Sequence, residues 1–170
     1  MNNINLEAIK KFMEEVQKNP EAAKKTKSIS GEWNFEQGNP QVTAEIKFQS
    51  GSAVIEADSP QFMGGAGLKP DPIQYCLFGL AACYASTFVS ICAEKGIELS
   101  KLKVTAENKT NLTKSLGLGE EPIVEKVKLS LEVESDADKE KINEIEKFAR
   151  ERCPGVYCLT NPIKLITELK

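Results

Sequence analysis

The stretch PIQYCLFGLAACYASTFVSICAEKG, Pro72 to Gly96, constrains this chain most. From Pro72 to Ala93 it carries no charged residue, and no proline interrupts it after the first position. A run so long and apolar, closed by a glycine, predicts one buried helix. Its faces differ. Ile73, Leu77, Leu80, Tyr84, Phe88 and Ile91 recur at helical steps as a bulky stripe, and Cys76, Gly79, Cys83, Ser86 and Ser90 form a small-residue stripe. Small side chains along one line let another helix or chain approach closely, so the stretch reads as a central helix packed on both sides. The same length would cross a bilayer. However, Gln74, Ser86, Thr87, Ser90 and two glycines dilute it, and the flanking segments read as strands that need each other. The expectation is a core helix with no membrane partner.

Histidine is absent from all 170 residues. That excludes Ser-His-Asp and Cys-His catalysis within this chain, and zinc sites that use histidine. No C-x2-C pair exists either, so no metal site is expected. Net charge is −3, with 22 basic and 25 acidic residues interspersed. No basic patch with interleaved aromatics marks a nucleic-acid partner. Residues 1–25 lack a signal peptide's apolar core, which predicts a cytoplasmic chain. In a reducing compartment the five cysteines read as thiols or redox residues rather than a disulfide scaffold.

Residues 5–18 predict an amphipathic helix, from Leu6, Ile9, Met13 and Val16, ended by Asn19-Pro20. Alternation at Ile29–Phe35 and Val42–Phe48 predicts a hairpin, followed by a strand over Ala53–Ala57. Residues 58–71 form a Gly/Pro-rich loop. Its GGAG resembles a phosphate loop but lacks the Gly-Lys-Ser/Thr ending. After the central helix come strands around Leu102–Ala106 and Val127–Val133, separated by a loop over 111–121. A helix capped by Asp136 or Asp138 follows. Pro154 and Gly155 are expected to stop it, and Ile163–Leu169 to form a last strand. Strands grouped rather than alternating with helices predict an α+β fold of a single domain.

Cys76 and Cys83 share a helix face, with Cα atoms about 10.5 Å apart, which is beyond disulfide reach. Cys92 lies nearly opposite that face. A partner for Cys83 must come from elsewhere, and Cys153 and Cys158 are both available. For Cys76, Cys92 and Cys158 the simplest reading is a small buried apolar residue. Periodicity alone leaves Cys83 and Cys153 open between inert and reactive.

The segment Asp71-Pro-Ile-Gln-Tyr-Cys-Leu-Phe-Gly-Leu-Ala-Ala-Cys83 resembles the helix start of the OsmC/Ohr family, the osmotically inducible protein C and organic hydroperoxide resistance proteins. Cys153-Pro154, after a helix, resembles the family's second cysteine motif, and the element order is similar from about Ser28 to Lys170. The resemblance implies an OsmC-like domain over 28–170 preceded by an N-terminal helical extension, 1–27. It implies an intertwined homodimer, with long central helices enclosed by mainly antiparallel sheets to which both chains contribute. It also implies a cofactor-free peroxidase acting on organic hydroperoxides, with Cys83 as the peroxidatic and Cys153 as the resolving cysteine, and an external dithiol as reductant. The family's peroxidases place a glutamate just after the helix-start proline and use an arginine from the N-terminal strand region. Here Ile73 and Gln74 follow the proline, and the only arginines are Arg150 and Arg152. Gln74 and Lys69 are the candidate supporting residues in their place. The loops 59–71 and 111–121, with Phe62, Met63 and Leu116, are candidate cleft walls. Two other readings stand beside the peroxidase: a ligand-binding or persulfide-handling protein on the same scaffold, and a structural dimer with inert thiols.

Overall fold

The computed structural model describes residues 1–170. The chain divides into two compact units, one of Ile9–Cys76 and one of Met1–Ala8 with Leu77–Lys170. The elements run α1 (Leu6–Lys18), β1 (Gly31–Trp33), β2 (Val42–Phe48), β3 (Gly51–Ala57), α2 (Pro72–Glu94), β4 (Leu99–Thr110), β5 (Val124–Ser135), α3 (Lys139–Arg152) and α4 (Pro154–Thr160). All strand pairings are antiparallel, so the α+β expectation holds.

In the unit of residues 9–76, β1, β2 and β3 form a three-stranded sheet in sequence order. Val42 to Phe48 pairs residue by residue with Ala57 to Gly51, which leaves Gln49 and Ser50 as a two-residue turn. The 58–71 loop closes on itself. The amide of Asp58 donates to the Pro70 carbonyl at 3.2 Å, and Gly67 to Ser59 at 3.2 Å. Gly65 passes so near the Ser59 carbonyl that a Cβ there would collide with it. Glycine at 65 therefore serves close approach, while Gly64 serves a left-handed turn at φ 83°.

The helix α2 opens where Asp71-Pro72 predicts. Pro72 occupies the first turn, where its missing N–H costs nothing. The Asp71 carboxylate accepts from the Ile73 amide at 2.6 Å, and the Gln74 side chain accepts from the Asp71 amide at 2.9 Å. This reciprocal cap satisfies two otherwise orphaned donors.

In the other unit, the bulky stripe is the core. Leu80, Tyr84, Phe88 and Ile91 of α2 pack with Ile145 and Ala149 of α3, Cys153 and Val156. Leu102, Val104 and Ala106 of β4, with Val127, Leu129, Leu131 and Val133 of β5, close it from one face of the hairpin. Each large side chain fully buried here contributes about 2–3 kcal/mol. The hairpin's other face is charged and carries the exposed cross-strand pairs Lys103–Glu132 at 2.9 Å and Lys128–Glu107 at 3.3 Å. Exposed pairs of this kind secure register more than stability. By length and composition α2 could cross a membrane. Its bulky stripe is instead occupied by core packing. On the small-residue stripe Cys76, Gly79 and Ser86 are exposed, whereas Cys83 packs against the core.

Three expectations need correction. Pro154-Gly155 does not end the helical region. Cys153 breaks α3 with extended backbone, and Pro154 then opens α4, the position proline favours. No strand forms over Ile163–Leu169. Its alternation is present, but a strand also needs an edge to receive its backbone hydrogen bonds, and Leu165 and Leu169 remain exposed. Cys76 and Cys158, read as buried apolar residues, are exposed, whereas Cys92 is buried as read.

Cys92 gives an alkaline signature. Burial pushes its thiol up from 9.0 to about 11. The folded state keeps the proton that an unfolded thiol releases, so this stabilisation is whole below pH 9 and is lost as pH rises to about 11. Urea unfolding at pH 8 and pH 11 is expected to show Cys92→Ala losing about 2–3 kcal/mol less than wild type over that interval. Equal losses would mean that Cys92 is not buried in solution.

Candidate functional site

Cys83 sits midway along α2, half-buried, and Cys153 lies fully buried at the α3–α4 junction. Their sulfurs are 3.6 Å apart, with the Cys153 thiol donating to Cys83. Two features of the fold bring them together. The α2 core stripe fixes the rotation of Cys83, and the break at Cys153 turns that side chain inward before α4 begins. Cys153 keeps a helical bond of its own, its amide donating to Ala149 at 2.9 Å. The backbone carbonyl of Cys83 accepts from Thr87 Oγ1 at 3.0 Å.

Gly155 is the residue that sequence reasoning missed. Its α-carbon faces α2, where a Cβ would meet Leu80 Cδ1 at 3.2 Å and Cys83 Cβ at 3.4 Å. Its backbone N–H also acts on the Cys83 sulfur. A signal was present: proline one residue after Cys153 marks a helix start as readily as a stop.

The electrostatics of the pair run against a thiolate. Burial pushes the Cys83 thiol above its ordinary value, and the Gly155 N–H opposes this only in part. The Cys153 thiol adds to the upward shift, and no cation acts on Cys83. Lys69 pairs with Glu56 at 2.6 Å. Gln74 caps the start of α2. Both belong to residues 9–76, and Cys83 to the other unit. Arg152 lies over the Phe148 ring, 5.3 Å from its centroid. Phe62 and Leu116 are exposed.

A cavity of about 740 Å³ is bounded by Leu80, Tyr84, Leu129, Glu146, Arg150 and Val156, and neither Cys83 nor Cys153 is among its walls. The Tyr84 hydroxyl donates to Glu146 Oε1 at 3.0 Å and to the Glu146 carbonyl at 3.3 Å. Burial, reinforced by Glu146, holds this phenol well above the ordinary tyrosine range.

A long apolar helix whose Cys83 thiol is met by a second thiol from a helix junction defines a dithiol protein of α+β class. Residues 64–168, more than half the chain, match the family described as OsmC-like protein, and the chain belongs to that family. An OsmC-like protein from Mycoplasma pneumoniae is similar at 21% identity, over 79% of this chain and 87% of its own, with a TM-score of 0.60. The organic hydroperoxide resistance protein OsmC from Legionella pneumophila is similar at 17% identity, over 81% and 92%, with a TM-score of 0.55. An organic hydroperoxide resistance protein from Elizabethkingia anophelis, crystallised with thiocyanate, is similar at 18% identity, over 81% and 91%, with a TM-score of 0.53. No curated protein matches the sequence. At these identities the likenesses establish the fold.

Proposed function

We propose that this protein is a cytoplasmic thiol-dependent peroxidase that reduces organic hydroperoxides in oxidative-stress defence. The observation that carries the proposal is the 3.6 Å approach of the Cys83 and Cys153 sulfurs. The Cys83 thiolate attacks the terminal peroxide oxygen. The O–O bond breaks, the alkoxide leaves and takes a proton to become the alcohol, and Cys83 becomes a sulfenic acid. Cys153 then attacks the Cys83 sulfur, forming the disulfide; the S–O bond breaks, and the leaving hydroxide takes the proton shed by the Cys153 thiol and departs as water. An external dithiol supplies the two electrons that restore both thiols. The apolar part of the cavity wall, Leu80, Leu129 and Val156, would suit an alkyl chain. The names of the Legionella and Elizabethkingia proteins, organic hydroperoxide resistance proteins, support the same substrate class.

The active form in this proposal is an intertwined homodimer, with residues 1–27 an extension of the 28–170 domain. The exposed small side chains along α2, and the exposed Phe78, Leu165, Ile166 and Leu169, support a second chain as partner. Lys69 and Gln74 keep a supporting role only if dimerisation brings them to the partner's thiols. A second reading, ligand or persulfide handling without peroxide turnover, is favoured by one observation: no cation lowers the Cys83 thiol.

Consumption of cumene hydroperoxide in the presence of dithiothreitol decides between them. Wild type is expected to turn over and Cys83→Ser to stop completely, while Cys153→Ser, oxidised without dithiothreitol, is expected to consume one equivalent and hold a dimedone-reactive sulfenic acid. Wild-type turnover no faster than Cys83→Ser sinks the peroxidase reading.

A further inference from the structure

A third thiol lies beside the pair. Cys158 sits on α4, one helical turn after Gly155. Gly155 faces α2, where a β-carbon would stand 3.6 Å from the Cys83 sulfur. Residues three apart on a helix are neighbours, with about 5–6 Å between β-carbons. Cys158 is therefore next to the point at which α4 touches Cys83, and its thiol is near enough to act electrostatically on the Cys83 sulfur. The other exposed thiol, Cys76, stands about 10.5 Å along α2 from Cys83.

The three thiols of this cluster differ in reach. Cys153 is fully buried, Cys83 is half-buried and Cys158 is exposed. A Cys83–Cys153 disulfide thus presents one sulfur closed to a reductant and one only partly open. Thiol–disulfide exchange depends on which sulfur is attacked and on access to it. Cys158 has access to solvent on one side and to Cys83 on the other. The helix that carries it can bring it closer. α4 follows extended backbone at Cys153, and its residues 157–160 are exposed. Helix ends so placed open at little cost.

We propose that Cys158 is the thiol through which an external dithiol reduces the Cys83–Cys153 disulfide, a step that rests on the peroxidase reading for its place in a cycle. The Cys158 thiolate attacks the Cys83 sulfur. The Cys83–Cys153 bond breaks, and Cys153 leaves as a thiolate that takes up the proton Cys158 has lost. The disulfide now joins Cys83 to the exposed Cys158. One thiolate of the external dithiol attacks the Cys158 sulfur, and Cys83 leaves as a thiolate. The second thiol of the reductant then closes on the first and frees Cys158. The reductant ends as its own disulfide, and the protein regains three thiols.

Diamide oxidises a dithiol without a peroxide, so this step can be tested apart from hydroperoxide turnover. Diamide-oxidised wild type, Cys158→Ser and Cys76→Ser are reduced with dithiothreitol, quenched in acid and alkylated to count the freed thiols. Cys158→Ser is expected to regain Cys83 and Cys153 about tenfold more slowly than wild type, and Cys76→Ser at the wild-type rate. A slower rate alone reflects altered packing of α4 as well as lost exchange, so the second readout is the sulfur attacked. Oxidised wild type, treated briefly with glutathione and quenched in acid, is expected to carry the glutathione on Cys158, located by peptide fragmentation. Equal rates for wild type and Cys158→Ser, or glutathione on Cys83 or Cys153, would overturn the proposal. So would failure of diamide to join Cys83 to either neighbour. Absence of hydroperoxide turnover alongside the expected exchange would remove the peroxidase reading and leave the role of Cys158 standing.

Discussion

Treatment with one equivalent of organic hydroperoxide is expected to raise the thermal midpoint of this protein by about 10 °C. A Cys83–Cys153 bond would link residues 70 positions apart in sequence. Cross-linking a loop of that length removes unfolded-state entropy equivalent to about 4 kcal/mol at 25 °C. For a chain of this size each kcal/mol moves the midpoint by roughly 2–4 °C. Native strain subtracts from this, but little movement is required. The sulfurs start 3.6 Å apart and need to reach about 2.05 Å. The junction at Cys153, with extended backbone between two helices, is where the chain can yield. Calorimetry before and after oxidation, repeated on Cys153→Ser, measures the effect, and the variant should show no upward shift. A wild-type midpoint that stays put, with both thiols still titratable, would show that the pair does not close.

The sequence made some of this legible and not the rest, and the division is physical. The central helix was readable because an uncharged run, a proline start and a glycine stop are local signals that agree. Asp138 capping α3 was readable for the same reason, and its carboxylate does accept from the Lys141 amide at 2.7 Å. The strands β4 and β5 alternate cleanly because one face is core and the other is charged. Ile163–Leu169 shows the limit. Its alternation matches a strand, but the partner edge is a nonlocal property that the segment does not encode. Pro154-Gly155 shows another limit. Proline opens helices and also follows them, and only the packing of α4 on Leu80 and Cys83 decides which. The thiol pair was half legible. Helix geometry excluded every partner on α2, and family resemblance indicated Cys153. Residue spacing alone could not separate Cys153 from Cys158, which the structure leaves exposed.

Reaction of Cys83 with hydroperoxide is expected to quicken about tenfold per pH unit from pH 7 to pH 9. The reactive form is the thiolate. Burial holds the Cys83 thiol above 9.0, the Gly155 N–H offsets this only partly, and Cys153 adds to it. The thiolate is therefore the minor form at pH 7, and well below the pKa each added pH unit multiplies its fraction by about ten. The rate should still be rising at pH 9. Stopped-flow oxidation of the Cys153→Ser variant isolates the first step, because the resulting sulfenic acid cannot be resolved. Removing Cys153 also removes one of the influences holding the thiol up, so this variant should bend over slightly earlier than wild type. A profile already flat between pH 7 and pH 9 would contradict the single-chain electrostatics. It would require a positive charge at Cys83 beyond the influences that its own unit supplies, and a second copy is one source. The pH profile therefore tests whether the thiol is poised by its own chain or by its partner. Repeating it at protein concentrations above and below dimer dissociation separates the two.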